Sequence, residues 1–560
     1  MIILGIADNH DSGAAVLIDG VPVAAVNQER VDRVKNSGAF PWGAIDAALD
    51  LAGVSPREVD EVVVGSAFTP SALLRLWPSQ HQQAKKHGQF SPLLHGYILY
   101  QSILKKSGLY ALEVEACQNI LERRLAQRPF RSKNPRMIDH HRAHAEGAYR
   151  TQPHDDCLVL TVDAMGDGNT ATVSQGQGGE LDLLWQQSGL ASLNTFYSRV
   201  TELLGFTPNR HEGKITGLAA YAVAPEPLLD HLRQRVRFNG PGFSRMPLRR
   251  AERADDPFWA ELRRYSREEV AAAAQQILEE SVVAFVRYWV ERTGCPRLAV
   301  AGGAFANVKL NQRIASLDEV HELWVYPHMG DGGLALGGAL AEAGSPPTAL
   351  PHAFLGIHPS ETDAAKALNI AGLPRTRATA MIDEVAQLLA AGKVVARCSG
   401  PMEWGPRALG NRSVLYKCDE PEVNRWLNEK LKRSEFMPFA PICRAEDADR
   451  WFQGVGKAAR SARFMTVCFD VRPEFAQRCP AAVHVDGTAR PQLVDAATSP
   501  ELHALLGAVG ERTGTPVLIN TSFNMHEEPI VATAQDAVRA WKAAELDALW
   551  LGPYLVRRSG

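Results

Sequence analysis

The sequence has no long hydrophobic run and no surplus of charge, and each absence argues against a class of function. Although 45% of the 560 residues are hydrophobic, no apolar stretch approaches the roughly 20 residues that span a bilayer. The 60 Lys and Arg residues nearly balance the 63 Asp and Glu residues, for a net charge of −3. We therefore expect no general attraction to nucleic acid and no membrane insertion.

Cysteine pairs and a secretion signal are also missing. The eight cysteines are scattered without a Cys-x-x-Cys pair, which argues against a zinc ribbon and a disulfide framework. The first residues, Met1 to Gly5, lack the basic region and cleavage site of a signal peptide, so we expect a cytoplasmic protein. A basic stretch, 123–142, is interpreted as a solvated face, with contact to a phosphorylated ligand as the weaker alternative.

Two segments of the sequence repeat one pattern of strand, polar hairpin, strand, turn and strand. The predicted strands are 2–7, 14–18 and 21–26 in the first copy and 158–162, 170–174 and 181–186 in the second. In each copy an aspartate, Asp8 or Asp163, follows the first strand and a polar turn comes next. In folds built from such copies the hairpins face each other across a cleft. Small turn residues there let backbone N–H groups approach phosphate.

Four residues, three of them near the second copy, form a candidate metal site. His140 and His144 are four residues apart, so on a helix both project from one face. Asp139 suits the N-cap, and we expect it to leave the first N–H groups near an anion held by the metal. Asp163 and Asp331 would complete a set suited to Fe(II), Zn or Mn. Paired histidines also occur by chance on solvated faces, so the spacing alone does not establish a metal site.

The length is natural for two or three domains. Residues 66–130 have no counterpart in the repeat and look like an insertion that shapes an acceptor pocket. A helix is predicted over 268–294, followed by a strand over 297–301 that ends in Gly302 and Gly303. Such a Gly pair can bring backbone amides beside a phosphate or sugar, although alone it is weak evidence.

A boundary is expected at Ser345-Pro346-Pro347, and a second α/β domain over about 360–560. Its predicted strands are 394–397, 413–417, 464–469 and 516–520, and its predicted helices are 420–431 and 499–512. Arginines and amide side chains gather at strand ends and are candidates to cradle polyphosphate. Any one of these arginines could equally be a surface residue.

Nine motifs together resemble the O-carbamoyltransferases of the nodulation, cephamycin and tobramycin type. They lie at 5–12, 27–30, 140–145, 210–221, 301–303, 405–413, 436–441, 484–490 and 518–524. The most specific are Gly-Pro-Arg-Ala-Leu-Gly-Asn-Arg-Ser at 405–413 and Asn-Thr-Ser-Phe-Asn at 520–524. The resemblance covers nearly the whole chain, in order.

The resemblance implies an α/β fold with two parts. Residues 1–345 would form a duplicated domain of the sugar-kinase/Hsp70/actin superfamily, similar to the threonylcarbamoyl-transferase of tRNA, and 360–560 a YrdC-like domain. The YrdC-like domain would make carbamoyl-adenylate from ATP, with Mg, and carbamoyl phosphate. The first domain, with a divalent metal expected to be Fe(II), would transfer the carbamoyl group to a hydroxyl of a natural product or sugar. A homodimer is a further expectation.

The resemblance also assigns residues to roles. His10 would be general base or orienter of the acceptor hydroxyl, and Asp8 would bind the acceptor or steer His10. The metal ligands would be His140, His144, Asp163 and Asp331. Nucleotide contacts in the first domain would come from Lys35, Lys214, Gly302, Gly303 and Asn307. Contacts to ATP and carbamoyl phosphate in the second would come from Arg407, Arg412, Ser413, Arg433, Arg490, Asn520, Ser522 and Asn524.

Three positions depart from the family pattern. Pro401 stands where relatives carry an arginine, Met437 replaces an arginine of many relatives, and Glu527 replaces a glycine. The departures put the activation half in doubt before the transfer half. The alternatives are a phosphotransferase or ATPase of the same superfamily, which would release ADP, and a nucleotide-binding scaffold without transfer activity. A metalloprotease is disfavoured because the His pair lacks the Glu of His-Glu-x-x-His.

Overall fold

The computed structural model describes residues 1–77, 100–189, 191–244, 256–432 and 438–558. The chain divides into two compact units: the first unit is Met1–Val23 with Ser37–Leu350, and the second unit is Ala24–Asn36 with Pro351–Gly560. The segment Ala24–Asn36 therefore packs with the second unit, although it lies near the start of the sequence. The predicted first domain, 1–345, includes this segment, and that boundary stays a prediction.

The first unit contains the predicted repeat as two five-stranded sheets. The strands are β1 (Ile2–Ala7), β2 (Gly13–Ile18), β3 (Val21–Asn27), β4 (Glu61–Val64), β5 (Arg136–Met137), β6 (Cys157–Gly166), β7 (Asn169–Gln177), β8 (Glu180–Ser188), β9 (Arg297–Ala301) and β10 (Glu322–Val325). The first sheet has the order β3-β2-β1-β4-β5 and the second β8-β7-β6-β9-β10. In both, the central strand is antiparallel to one neighbour and parallel to the other. The two halves share one topology.

Helices connect and cover these sheets. Those described in the first unit are Trp42–Ala52, Ala72–Leu76, Tyr110–Leu125, His140–Arg150, Leu193–Leu203, Glu212–Leu218, Glu226–Arg233, Pro257–Leu262, Arg267–Thr293, Val308–Ala315 and Leu334–Ala343. The long helix predicted over 268–294 is Arg267–Thr293. Ser266 and Glu269 form a capping box at its start, and Gly294, with φ of 66°, ends it.

Glycines let two helices and a sheet approach closely at the centre of the first unit. A Cβ added to Gly337 would lie 2.0 Å from the carbonyl oxygen of Ala143, so the helices Leu334–Ala343 and His140–Arg150 are in direct backbone contact. A Cβ added to Gly5 in β1 would lie 1.9 Å from the carbonyl oxygen of Ala335. Any side chain at these positions would push the helices apart. The small residues therefore set the position of both helix N-termini.

The second unit is a seven-stranded sheet with helices and a small two-stranded sheet. The strands are β11 (Val395–Cys398), β12 (Arg412–Lys417), β13 (Ala440–Arg444), β14 (Phe469–Asp470), β15 (Thr488–Ala489), β16 (Gln492–Val494), β17 (Val517–Ser522), β18 (Ala548–Leu551) and β19 (Tyr554–Arg557). The large sheet has the order β16-β13-β17-β12-β11-β18-β19. The described helices are Gln28–Asp32, Glu361–Ile370, Met381–Ala390, Val423–Lys430, Ala448–Trp451, Ala459–Ala462, Pro473–Arg478, Pro500–Thr513 and Ala534–Ala543. Leucines of Pro500–Thr513 pack into a fully buried core against the sheet.

One predicted strand of this unit was wrong. Residues 464–468 belong to no strand, and only Phe469 of the predicted strand 464–469 lies in a strand. Met465 has φ of 56°, and the Thr466 hydroxyl donates to the Ser461 carbonyl, which closes an irregular turn. Phe464, Met465, Val467 and Cys468 are nevertheless all buried. An irregular buried segment gives the same apolar run as a buried strand, so the sequence could not separate them.

Among the described residues, no helix combines the length and apolar character needed to cross a membrane.

Candidate metal centre

Four side chains from distant parts of the sequence converge in the first unit. Ligand atoms of His140, His144, Asp163 and Asp331 all lie within 4.8 Å of one another, and all four residues are buried. His140 Nε2 lies 3.2 Å from Asp163 Oδ2 and 3.6 Å from Asp331 Oδ1. His144 Nε2 lies 3.6 Å from each of the same two oxygens. The residues predicted to hold a metal are thus brought together.

These separations fit one ion. Ligand atoms about 2.1 Å from a common ion lie about 3.0 to 3.4 Å apart at octahedral or tetrahedral angles. The measured nitrogen-to-oxygen distances of 3.2 to 3.6 Å need only small adjustments to reach that range. Two imidazoles and two carboxylates are a donor set of borderline softness, suited to Fe(II), Zn or Mn.

His144 gives a second indication. It is fully buried, and neither of its ring nitrogens has a hydrogen-bond partner within the described residues. A buried polar atom without a partner costs about 1 to 3 kcal/mol. An ion bound at Nε2 would satisfy that atom, so the residues present fit a metal.

The electrostatics of the cluster favour a cation. Burial lowers the pKa of His140, but the carboxylates of Asp331 and Asp163 raise it more, to about 9. Burial raises the pKa of Asp163, yet its hydrogen bond with His140 brings that pKa well below the usual range. In the absence of a bound cation, a proton on His140 therefore offsets the repulsion between the two carboxylates.

Two aspartates fix the start of the helix His140–Arg150. The Asp139 side chain accepts hydrogen bonds from the backbone N–H groups of His141 and Arg142, as the predicted N-cap requires. Asp167 accepts from the N–H of His140 at 2.8 Å. The first N–H groups are thus bound to carboxylates and are not left for an anion. That part of the prediction was wrong, because the fold supplies a second aspartate at the same helix end.

The hairpin and the insertion orient His140. The Ser66 hydroxyl lies 3.0 Å from His140 Nδ1, which leaves Nε2 to face the carboxylates. A Cβ on Gly166 would lie 2.1 Å from the His140 ring, so only glycine fits there. Asp167 also accepts from the N–H groups of Ala67 and Phe68 at 2.7 and 2.9 Å. The sequence analysis missed Ser66 and Asp167, which carry no motif of their own.

His10, the predicted general base, lies at the edge of the cluster. Its Nδ1 is 3.1 Å from Asp331 Oδ2, and its side chain is 34% exposed. Asn9 Nδ2 donates to the same oxygen at 2.9 Å. A carboxylate beside Nδ1 holds the proton on that nitrogen and leaves Nε2 free to accept another. The first hairpin therefore reaches the candidate ligands through Asp331.

Asp8 has a partner that the sequence did not reveal. Arg75 donates to both of its carboxylate oxygens, at 2.8 and 2.9 Å, and both side chains are buried. Arg75 also donates to the carbonyls of Ser66 and Ala67. Burial lowers the pKa of Arg75, but Asp8 raises it above its usual value. Asp8 thus anchors the start of the insertion, and its predicted contact with the acceptor or with His10 stays a prediction.

The nucleotide candidates of the first unit fall in several places. Asn307 Nδ2 donates to Gln275 Oε1 at 2.8 Å and to Thr216 Oγ1 at 3.2 Å. The N–H of Gly303 donates to Asp163 Oδ1 at 3.1 Å. Lys214 is buried with its ammonium 5.9 Å from the Phe206 ring centroid. Gly302 has φ of 102°, and a Cβ there would lie 2.3 Å from the Val162 carbonyl oxygen. Lys35 belongs to the second unit.

The predicted arginines of the second unit differ in what they contact. Arg412 is fully buried. Its two terminal nitrogens donate hydrogen bonds to the backbone carbonyls of Ser399, Gly400, Asn411 and Ile357. Burial, together with the like charge of Arg490, lowers the pKa of Arg407 to about 9. Two neighbouring guanidiniums that repel each other form a natural site for an anion.

Most of the remaining candidates of this unit form hydrogen bonds with backbone groups. The Ser413 hydroxyl accepts from the N–H of Gly410 at 3.0 Å. Asn520 donates to the Ala408 carbonyl at 3.1 Å, and Asn524 donates to the Met525 and Glu528 carbonyls. Ser522 ends β17 and is half-buried. Arg433 lies outside the described residues, and so does Met437.

The two described departures have different settings. The exposed Pro401 carbonyl accepts from Asn411 Nδ2 at 2.8 Å, so this residue contacts the loop that follows. Glu527 has φ of 60°, a left-handed conformation that favours glycine, in agreement with the glycine that the family pattern has there.

The basic stretch 123–142 is engaged in pairs. Arg128 contacts Asp46, Arg131 contacts Asp60 and Arg136 contacts Glu342, at 2.7, 3.0 and 2.6 Å. Arg128 also lies 4.9 Å from the Trp42 ring centroid. These contacts fit the interpretation as a solvated, salt-bridged face.

Comparison with known proteins covers both units. The family model described as Carbamoyltransferase N-terminus matches residues 2–340, and the one described as Carbamoyltransferase C-terminus matches 386–558. An uncharacterized protein of Synechocystis sp. is 31% identical over 100% of this chain and 97% of its own. Nodulation protein NolNO of Sinorhizobium fredii is 30% identical over 98% of this chain and 79% of its own.

A relative with a named activity is similar over a shorter region. The 3'-hydroxymethylcephem-O-carbamoyltransferase of Streptomyces clavuligerus is 31% identical over 62% of this chain and 64% of its own. Because the two family models together match most of the sequence, the chain belongs to the carbamoyltransferase family and is a transferase.

Proposed function

We propose that the protein is an ATP-dependent O-carbamoyltransferase that activates carbamoyl phosphate as carbamoyl-adenylate and transfers the carbamoyl group to a hydroxyl of a small molecule. The observation that carries the transfer step is the buried His and Asp cluster with His10 3.1 Å from one of its carboxylates. The name of the Streptomyces clavuligerus relative, an O-carbamoyltransferase of a hydroxymethyl compound, supports a hydroxyl acceptor.

The two steps are assigned to the two units. We assign transfer to the first unit, as a domain of the sugar-kinase/Hsp70/actin superfamily, and its two sheets of identical order support that assignment. We assign activation to the second unit, as a YrdC-like domain over 360–560. The arginines Arg407 and Arg490 support this assignment, because a pair of repelling guanidiniums suits phosphate groups.

Activation makes chemical sense because a carbamate is a poor acyl donor. Carbamoyl phosphate gives up its phosphate to water, and an oxygen of the resulting carbamate attacks the α-phosphorus of ATP, with pyrophosphate leaving. The carbamoyl carbon then carries AMP, a good leaving group. Enclosing this labile mixed anhydride keeps it from water.

In the transfer step, His10 Nε2 takes the proton of the acceptor hydroxyl while Nδ1 stays bound to Asp331. The hydroxyl oxygen attacks the carbamoyl carbon, and the bond to AMP breaks. A divalent ion held by His140, His144, Asp163 and Asp331 would offset negative charge on the adenylate phosphate. The small residues of the hairpins allow close approach of that phosphate.

The competing function is a phosphotransferase or ATPase, which the duplicated sheets alone would allow. Such an enzyme transfers the γ-phosphoryl group and forms ADP. Formation of AMP and pyrophosphate only when both ATP and carbamoyl phosphate are present would exclude it. ADP as the product would overturn the proposal.

The role of His10 can be tested with a matched pair of substitutions. His10→Asn removes the proposed base, and we expect carbamoyl transfer to acceptor alcohols, followed by mass spectrometry, to be abolished while AMP release persists. His154→Asn is the control, because His154 is also bound to a carboxylate, Glu322 at 2.7 Å, and is 33% exposed. Loss of AMP release in His10→Asn as well would show that the two steps are assigned to the wrong units.

A further inference from the structure

We propose that the segment Ala24–Asn36 is a working part of the second unit's anion site, and that Arg30 positions the loop that carries Arg407. The inference deepens the proposed function, because it assigns a positioning residue to the activation step. The loop is defined here as residues 403–413 and is called the arginine loop.

The arginine loop is held at successive backbone groups by side chains from several elements. The carbonyls of Gly405, Ala408, Leu409 and Gly410 accept from Arg30, Asn520, Gln492 and Arg397, at 3.1, 3.1, 2.7 and 3.1 Å. Glu403 Oε1 accepts from the N–H groups of Leu409, Asn411 and Arg412 at 2.7, 2.7 and 3.1 Å. Such a network fixes a loop whose backbone would otherwise adopt many conformations.

Arg30 and Asn520 bracket Arg407. Arg30 anchors Gly405, two residues before Arg407, and Asn520 anchors Ala408, the residue after it. Gly405 has φ of 122°, and Pro406 has no N–H to donate. The Gly405 carbonyl is the backbone group upstream of Arg407 that Arg30 holds.

An anchored backbone keeps Arg407 in a setting that disfavours its charge. Burial, and after it the like charge of Arg490, lowers the pKa of Arg407. A freely moving loop would let Arg407 leave this setting, and the preorganised anion site would be lost. Arg30 opposes that movement from a buried position in which its other terminal nitrogen pairs with Glu29 Oε1 at 3.0 Å.

The segment itself is attached independently of Arg30. Arg33 donates to the Ile530 and Pro529 carbonyls at 2.7 and 2.8 Å and lies 3.4 Å from Asp536. The N–H of Ala25 donates to the Leu355 carbonyl at 2.9 Å. Substitution of Arg30 should therefore disturb the arginine loop without detaching the segment. Arg472, whose Nε donates to the Asp449 carbonyl at 2.8 Å, lies outside both the segment and the arginine loop and is the control.

The kinetic test uses the full chain and AMP release from ATP and carbamoyl phosphate. We expect Arg30→Met to raise the KM for ATP or for carbamoyl phosphate by about 10- to 100-fold, the factor equivalent to one charged hydrogen bond. Arg472→Met should leave both KM values within about twofold, and Arg30→Lys should recover part of the loss because it keeps the charge but not the fork. Unchanged KM values in Arg30→Met, or equal losses in both Met variants, would overturn the proposal.

A binding test separates this inference from the proposed function. Calorimetric titration of the wild type and both Met variants with inorganic pyrophosphate needs no turnover. A selective loss of pyrophosphate affinity in Arg30→Met supports the inference, whether or not the wild type forms AMP. Absence of AMP formation by the wild type would refute the proposed function alone. Equal pyrophosphate affinity in wild type and Arg30→Met would refute the inference.

Discussion

The candidate metal centre of the first unit and the arginine loop of the second were both predicted from side-chain chemistry, but the structure treats them differently. In the metal centre all four predicted ligands converge. In the arginine loop, Arg412 holds backbone carbonyls, whereas Arg407 lies near a like charge. Short acidic and imidazole side chains have few rotatable bonds, so the backbone largely determines where their polar atoms lie. A long guanidinium side chain can turn either to a ligand or to the protein's own carbonyls.

The largest expected effect tests the metal side of this comparison. Asp331→Asn removes one of the two carboxylates among the four candidate ligands, and we expect metal affinity to fall by at least 100-fold, beyond the range typical of outer-shell partners. Metal content after purification and dialysis, measured by mass spectrometry, should drop from one ion per chain toward zero.

The control for this measurement is Asp182→Asn, which changes an exposed aspartate on β8. It should keep the metal content of the wild type. A full complement of metal in Asp331→Asn would mean that the cluster is not a metal site. The two candidate sites would then no longer differ in the way described.

The next effect separates the two kinds of arginine. Arg412→Met leaves several buried carbonyls without a donor, and we expect the free energy of unfolding to fall by about 3 kcal/mol or more. Arg407→Met should cost less stability, because burial and the like charge of Arg490 already disfavour a charge there, but should weaken pyrophosphate binding more. Urea unfolding and calorimetry on both variants check this. The reverse order of stabilities would show that Arg407 is the structural anchor.

The sequence predicts the repeat and the metal ligands because both follow from local rules. Continuous apolar runs that end in aspartate give β1 and β6, and a His pair spaced by four residues marks one helix face. Two copies of one topology then fix where Asp163 and the helix ends meet. The predicted strand 464–469 is wrong because a buried irregular segment has the same apolar sequence pattern as a buried strand.

What the sequence does not reveal depends on contacts between distant residues. Arg75 pairs with Asp8, Asp167 caps the helix of His140, and Arg30 reaches Gly405. Each is one polar residue, and its partner is defined by tertiary packing alone. The motif 27–30 was noticed, but its membership of the second unit could not be read from its position in the chain.

The free energy of unfolding should also depend on pH through His140, by an amount similar to the effect of Arg412→Met. Its pKa of about 9 in the folded chain lies above the value near 6.5 expected when unfolded. The contribution to stability is thus fully present below about pH 6.5 and is lost as the pH rises through about 9, at most about 3 kcal/mol. Urea unfolding of chelator-treated protein over this range should show the decline, and His140→Gln should remove most of it.

A saturating divalent ion should reverse the trend, because deprotonated ligands bind metal better as the pH rises. Stability that declines equally with and without the ion would contradict a shared proton and metal site. No corresponding reversal is expected from the arginine loop, where the anion competes with no proton over most of this range.

The smallest effect concerns the turn that Arg33 binds in the second unit. Glu527 has φ of 60°, which costs a non-glycine residue about 1 kcal/mol or more, while glycine adds about 0.4 to 1 kcal/mol of unfolded-state entropy. Glu527→Gly should therefore change the free energy of unfolding by less than about 0.5 kcal/mol, and Glu527→Val, which is β-branched, should lower it by about 1 kcal/mol. Urea unfolding distinguishes them. Equal losses in both variants would indicate that the Glu527 side chain, and not its backbone conformation, stabilises the turn. This turn precedes Pro529 and Ile530, whose carbonyls accept hydrogen bonds from Arg33.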